Sequence, residues 1–174
     1  MRDISFIAGF TFIELIIVIS VTAVLSTIGL ASFLTYSRSQ NLQQSGSTII
    51  TYLQTARAEV LAQVKPPGIC TGALQSYKVL ICCKNGGTNC PVCQSSDNVE
   101  MDVVCGGNPP SVVLSSSFPS DVQVDDPNTT QRSFVFVPVT GGVSGISSSV
   151  KVVLKNSVTN VSKTITVTSA GIIQ

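Results

Sequence analysis

The residues best able to do chemistry in this chain crowd into one short segment. Six cysteines, Cys70, Cys82, Cys83, Cys90, Cys93 and Cys105, span that segment. The adjacent Cys82 and Cys83, followed by Cys90-Pro91-Val92-Cys93, have a spacing that suits a four-thiolate zinc site. In an exported domain oxidation competes with metal binding, and an even set of cysteines then reads as disulfides whose pairing the spacing alone leaves open. Disulfides are the favoured reading, zinc the second, and a redox CxxC the last, since no thioredoxin-like βαβ pattern precedes it. Vicinal Cys82 and Cys83 on a strand point to opposite faces, so different partners are expected for them. Together the cysteines would staple the irregular stretch 84–97 to a sheet.

A second residue stands out by its surroundings. Glu14 is the only formal charge between Phe10 and Leu34, in the run FTFIELIIVISVTAVLSTIGLASFL. A carboxylate in such a run is costly to desolvate without a partner and is a functional candidate by default. Asp125, Asp126 and Asn128 form an acidic turn, but too few oxygen ligands gather there for calcium, and a solvated turn is preferred. The chain has no His, the commonest general base near neutral pH, and its ten Lys and Arg residues form no run. Enzyme chemistry and a nucleic-acid stripe both fall in rank; no catalytic residue, cofactor or metal is expected.

These residues must be positioned by two kinds of element. Charged residues make up 11% of the 174-residue chain, against a usual share of about a quarter, while Ser, Thr, Val and Ile are abundant. From residue 10 to 34 a helix would reach roughly 37 Å, which predicts a membrane-crossing segment. Leu42, Gly46, Ile49, Ile50, Leu53, Ala56, Val60, Leu61 and Val64 then recur mostly at steps of three and four, predicting an amphipathic continuation to Val64. The prolines of KPPG, Lys65 to Gly68, end it. Beyond them, stretches 77–83, 98–105, 111–116, 132–139, 149–156 and 163–173 are rich in Val, Ile and Thr and are separated by NGG, GGNPP, DDPN and TGG turns. The expected fold is α+β: a long N-terminal helix, transmembrane in its first half and amphipathic in its second, packed on a C-terminal antiparallel β-sheet domain. A hairpin about residues 157–160 would place Val152, Leu154, Ile165 and Val167 on one face.

The stretch Gly9-Phe10-Thr11-Phe12-Ile13-Glu14-Leu15-Ile16, with the apolar helix after it, resembles the processing motif of type IV pilins and type II secretion pseudopilins. Leu53 to Cys70, LQTARAEVLAQVKPPGIC, and the closing TITVTSAGII more loosely resemble the H-type pseudopilins and related minor pilins. The resemblance implies a leader over 1–9, cut after Gly9 by a prepilin peptidase that also methylates the new N-terminal Phe10. It implies that Glu14 is the assembly carboxylate, pairing with the Phe10 α-amine of its own or a neighbouring subunit. Residues 10–34 would be the transmembrane and filament-core helix, 35–65 the amphipathic helix, and 66–174 an exported, pilin-like domain.

The function so implied is structural: a minor pilin or pseudopilin of a type IV pilus or type II secretion pseudopilus. The partners implied are the peptidase, other pilin subunits, the inner-membrane assembly platform, and membrane lipid before assembly. The location implied is the bacterial inner membrane, single-pass, with a cell-surface or periplasmic filament after assembly. A major pilin is one alternative. A minor pilin capturing DNA is another, ranked low because only Lys151, Lys155 and Lys163 approach a basic cluster.

Overall fold

The structure, a computed structural model, describes residues 10–82, 98–106, 108–125 and 128–174, without the side chains of 27–31. Helix α1 (Phe12–Leu61) is followed by β1 (Leu74–Ile81), β2 (Val99–Cys105), β3 (Ser111–Ser116), β4 (Val122–Val124), β5 (Ser133–Phe136), β6 (Val143–Ser144), β7 (Val150–Asn156) and β8 (Ser162–Val167). The chain divides into two compact units, Met1–Ser37 and Arg38–Gln174.

In the first unit every described side chain from Phe10 to Ser26 is exposed. The polar residues among them settle their hydroxyls on their own helix. Ser20 Oγ donates to the Ile16 carbonyl at 2.8 Å, Thr22 Oγ1 to Val18 at 2.7 Å and Ser26 Oγ to Thr22 at 2.7 Å. The expected transmembrane half of the helix is corrected here, and with it the single-pass inner-membrane location. Among the described residues no helix is long and apolar enough to cross a membrane. Hydroxyl-bearing Ser20, Thr22 and Ser26 interrupt the apolar side chains at the start of α1.

In the second unit most of the periodic residues of α1 turn to the core, while Leu61 and Val64 at the end of the predicted stripe are exposed. Leu42, Ile49, Leu53, Ala56 and Val60 are buried in one cluster with Tyr77, Val79, Ile81, Met101, Phe134, Phe136, Val152, Leu154, Ile165 and Val167. The helix stops at Leu61, three residues before the predicted Val64, at a left-handed turn. Gln63 takes φ 52°, its N–H donates to Val60 O at 3.3 Å, and Val64 N–H reaches back to Glu59 O at 3.0 Å. That pair of bonds is a Schellman cap, which satisfies carbonyls the last turn would otherwise leave orphaned.

The strands form two antiparallel sheets, β3-β2-β1-β5-β6 and β4-β7-β8. Alternation sets β1 so that Tyr77, Val79 and Ile81 face the helix-side core, and the hairpin β7–β8 so that Val152 and Leu154 share a face with Ile165 and Val167. Strands β4 and β6 are too short to carry a periodic signal and are not predicted. The stretch expected to run as strand to Val139 breaks after Phe136, because Pro138 leads into a turn in which Val139 takes φ 75°. A β-branched residue with positive φ is a strained exception, and Val139 is 82% exposed.

One feature of β2 departs from a half-solvated antiparallel strand. Val99, Met101 and Val103 are buried on the helix side, yet Glu100 and Asp102 on the opposite face are buried too, at 0% and 2% exposure. On β1 the same face carries Ser76, Lys78 and Leu80, in register with Val104, Asp102 and Glu100.

Candidate functional site

Two places carry the residues singled out by sequence. The first is the start of α1. Thr11 and Glu14 face each other across the first helical turn: Glu14 N–H donates to Thr11 Oγ1 at 3.3 Å, while Thr11 N–H and Oγ1 each lie 3.5 Å from Glu14 Oε2. This reciprocal pattern is a capping box, in which a Thr and a Glu three residues on satisfy each other's backbone donors. Sequence reading singled out Glu14 for its charge but missed Thr11 as its local partner, although T-x-x-E ahead of an apolar run is the signature of such a cap. Phe10, at 81% exposure, lies just outside the helix. Gly9 and the rest of the leader lie outside the described residues.

Around Glu14 the helix presents apolar side chains on every face: Phe12, Ile13, Leu15, Ile16, Ile17 and Val18 are between 46% and 78% exposed. A contiguous apolar surface of this kind marks an interaction site. The contrast with Leu42, Ile49 and Leu53 of the same helix, each at 1% or less, shows what these side chains lack. Among the described residues nothing of their own chain buries them.

The second place is the cysteine set. Cys70 and Cys105 are joined by a disulfide with their Cα atoms 5.6 Å apart. The bond ties the loop after α1 to the end of β2, where Leu74 is already in register with Cys105. Gly72 packs so closely on the Gly106 carbonyl that a Cβ could not fit, which brings the two sulfurs within reach. Cys82, buried at the end of β1, is not a free thiol. Cys83, Cys90 and Cys93, and the expected staple over 84–97, lie outside the described residues. Among the described residues no group of three or more Cys, Asp or Glu could hold a metal ion.

The remaining candidates are dispersed or self-satisfied. Asp125 Oδ2 accepts from Asn128 Nδ2 at 2.8 Å, and its carbonyl accepts from Thr129 N–H at 2.9 Å, which closes the turn on itself; Asp126 is outside the described residues. The three hairpin lysines are not brought together. Lys151 and Lys155 project from the face of β7 opposite Val152 and Leu154, whereas Lys163 shares the parity of Ile165 and reaches α1, donating from Nζ to Gln43 Oε1 at 2.7 Å. The Lys163 stem crosses α1 where Gly46 leaves room, since a Cβ there would lie 2.7 Å from Lys163 Cδ. A continuous DNA-binding row does not form from these lysines.

Burial makes the polar groups of the body unusual. Desolvation, then the Glu59 carboxylate through a hydrogen bond and its charge, push the Tyr77 phenol well above its ordinary value. Tyr77 donates to Val64 O at 3.0 Å, fastening β1 to the turn after α1. Burial lowers the Arg132 guanidinium below its ordinary value. Asp102 is pushed up to about 6, first by burial and then by Glu100, with Lys78 acting in the other direction.

The chain matches no protein-family model, no curated protein and no solved structure.

Proposed function

We propose that this chain is a structural filament subunit, a minor pilin or pseudopilin of the type IV pilus or type II secretion kind. In this reading a prepilin peptidase cuts after Gly9 and methylates Phe10, and the subunit assembles with other pilins through the apolar start of α1. The observation that carries the reading is the uncovered apolar surface from Phe12 to Val18, in which Glu14 is the one charge. Neighbouring helices of the same kind would cover it by close van der Waals packing.

Cleavage gives Glu14 a new partner. The Phe10 α-amine becomes a cation about one turn away, and packing in a filament removes water from both groups, so an unpaired Glu14 becomes costly and a paired one tolerable. The capping box with Thr11 orients the carboxylate before that pairing. The Cys70–Cys105 bond supports the reading, because disulfides persist in oxidising surroundings such as a filament meets.

The test is made in cells that assemble the filament. Glu14→Ala is expected to leave the chain folded and cut after Gly9 while its share of sheared filaments falls by at least about tenfold, as loss of a desolvated ion pair implies. A bulky residue at Gly9 is expected to leave the leader attached, read by N-terminal sequencing. Normal incorporation of Glu14→Ala, or a cut chain with Gly9 replaced, would sink the reading.

A further inference from the structure

The buried polar face of β1 and β2 brings an amine and two carboxyls together where nothing in the filament reading uses them. Lys78 on β1 is the direct cross-strand partner of Asp102 on β2. Directly opposed side chains start from Cβ atoms about 4.5–5.5 Å apart, within the reach of a lysine stem. Asp102 is 2% exposed and its Oδ1 is buried with no hydrogen-bond partner. Glu100, two residues away on the same face, is fully buried. Leu80, the cross-strand partner of Glu100, is 3% exposed and helps keep water from the group.

We propose that Lys78 and Asp102 become joined by an intramolecular amide bond across the β1–β2 ladder, with Glu100 carrying protons between them. Lys78 Nζ attacks Asp102 Cγ, an N–C bond forms, and one Cγ–O bond breaks. The ammonium first releases one proton to solvent, and the neutral amine attacks the protonated carboxyl. A second Nζ proton, relayed by Glu100, joins the departing O–H of Asp102 as one water, so one proton stays on the amide nitrogen. No oxidant, metal or activated co-reactant enters the balance.

Physical chemistry favours the step at this place. A carboxyl is a poor electrophile as the anion and a better one when protonated, and burial beside Glu100 holds Asp102 up to about 6. A lysine amine is a competent nucleophile once it has lost its proton to a neighbouring base. Cross-strand register keeps Asp102 within reach of the Lys78 stem, so a rotation of that stem brings the two groups together far more often than free molecules would meet. The resulting bond would clamp β1, the first strand after the helix, to β2 at its middle, while Cys70–Cys105 clamps the same region at its edge. A subunit pulled through its helix would thus carry load across covalent bonds.

The test is mass spectrometry of the purified full chain after disulfides are reduced and alkylated. The expected result is a mass lower by one water than the sequence requires, and a branched tryptic peptide linking the Lys78 and Asp102 segments with no cleavage after Lys78. Lys78→Arg keeps the cation but is expected to restore the full mass. Asp102→Asn is expected to join still, losing ammonia in place of water. Glu100→Gln is expected to slow joining by about a hundredfold, the usual scale for losing a positioned proton carrier. A wild-type chain at full mass, cut by trypsin after Lys78, overturns the proposal and leaves the filament reading untouched.

Discussion

Asn156 donates from Nδ2 to Asp121 Oδ2 at 2.8 Å, and the same carboxylate accepts from Asn41 Nδ2 of α1 at 3.1 Å. Asp121 is therefore the junction at which helix, the segment before β4 and the end of β7 meet. Asn156 is fully buried, and its Oδ1 accepts from both Val158 N–H and Thr159 N–H at 3.0 Å, shaping the β7–β8 turn. Asn156→Ala strips these bonds and leaves Asp121 short of a donor, so a loss of about 2–4 kcal/mol is expected. Urea unfolding followed by circular dichroism reads it as a lower midpoint with an unchanged slope.

Removing the Cys70–Cys105 bond releases a loop whose ends are 35 residues apart. Restricting such a loop in the unfolded chain is worth about 3–4 kcal/mol. The double change Cys70→Ser, Cys105→Ser is expected to lower stability by that amount and to leave the secondary structure content of the folded chain unchanged. Chemical denaturation under non-reducing conditions compares the two proteins.

Val139 holds a left-handed backbone with its side chain 82% exposed, so the side chain gains little from burial to offset the strain. Val139→Gly is expected to stabilise by about 1 kcal/mol, the relief of strain exceeding the added freedom of the unfolded chain. Two residues on, Gly141 also has positive φ, and a Cβ there would lie 2.8 Å from Leu61 Cγ. Gly141→Ala should destabilise by about 1 kcal/mol or more. Melting temperatures moving in opposite directions for the two variants would bear this out; movement in the same direction would refute it.

Asp102 sets a pH dependence of determinate sign. Its folded value is raised from 3.8 to about 6, so between those values the folded chain holds a proton that the unfolded chain has released. Stability from this group is therefore full below about pH 4 and is lost as pH rises to about 6, by up to roughly 3 kcal/mol. The effect belongs to a chain in which Asp102 still titrates. Lys78→Arg should show the fall between pH 4 and 6.5 relative to the doubly changed Lys78→Arg, Asp102→Asn, and the joined wild type should not.

Much of the second unit is legible along the chain, because its signals are local. Ser111–Ser116 is a strand with the bounds its Val-rich run and flanking turns predict, and Leu42 to Val60 pack as their spacing requires. Other features needed contacts between distant segments. β2 reads as an ordinary alternating strand, and nothing in VEMDVVC says that both its faces are covered, since burial of Glu100 and Asp102 depends on what packs over them. The apolar start of α1 shows the limit from the other side. Composition marks it as a surface to be covered, but length and hydropathy counted along the chain led to a bilayer, and the structure does not support that choice.

The amino-acid sequence alone determined the α+β makeup, the amphipathic stripe and the turn at 157–160, all products of neighbours a few residues apart. Tertiary structure alone decided that Cys70 pairs with Cys105, that β1 lies between β2 and β5, and that Lys78 stands opposite the buried Asp102. Those facts bring together residues separated by dozens of positions. Pairing at that range depends on the packing of the whole sheet, which no short window of sequence contains.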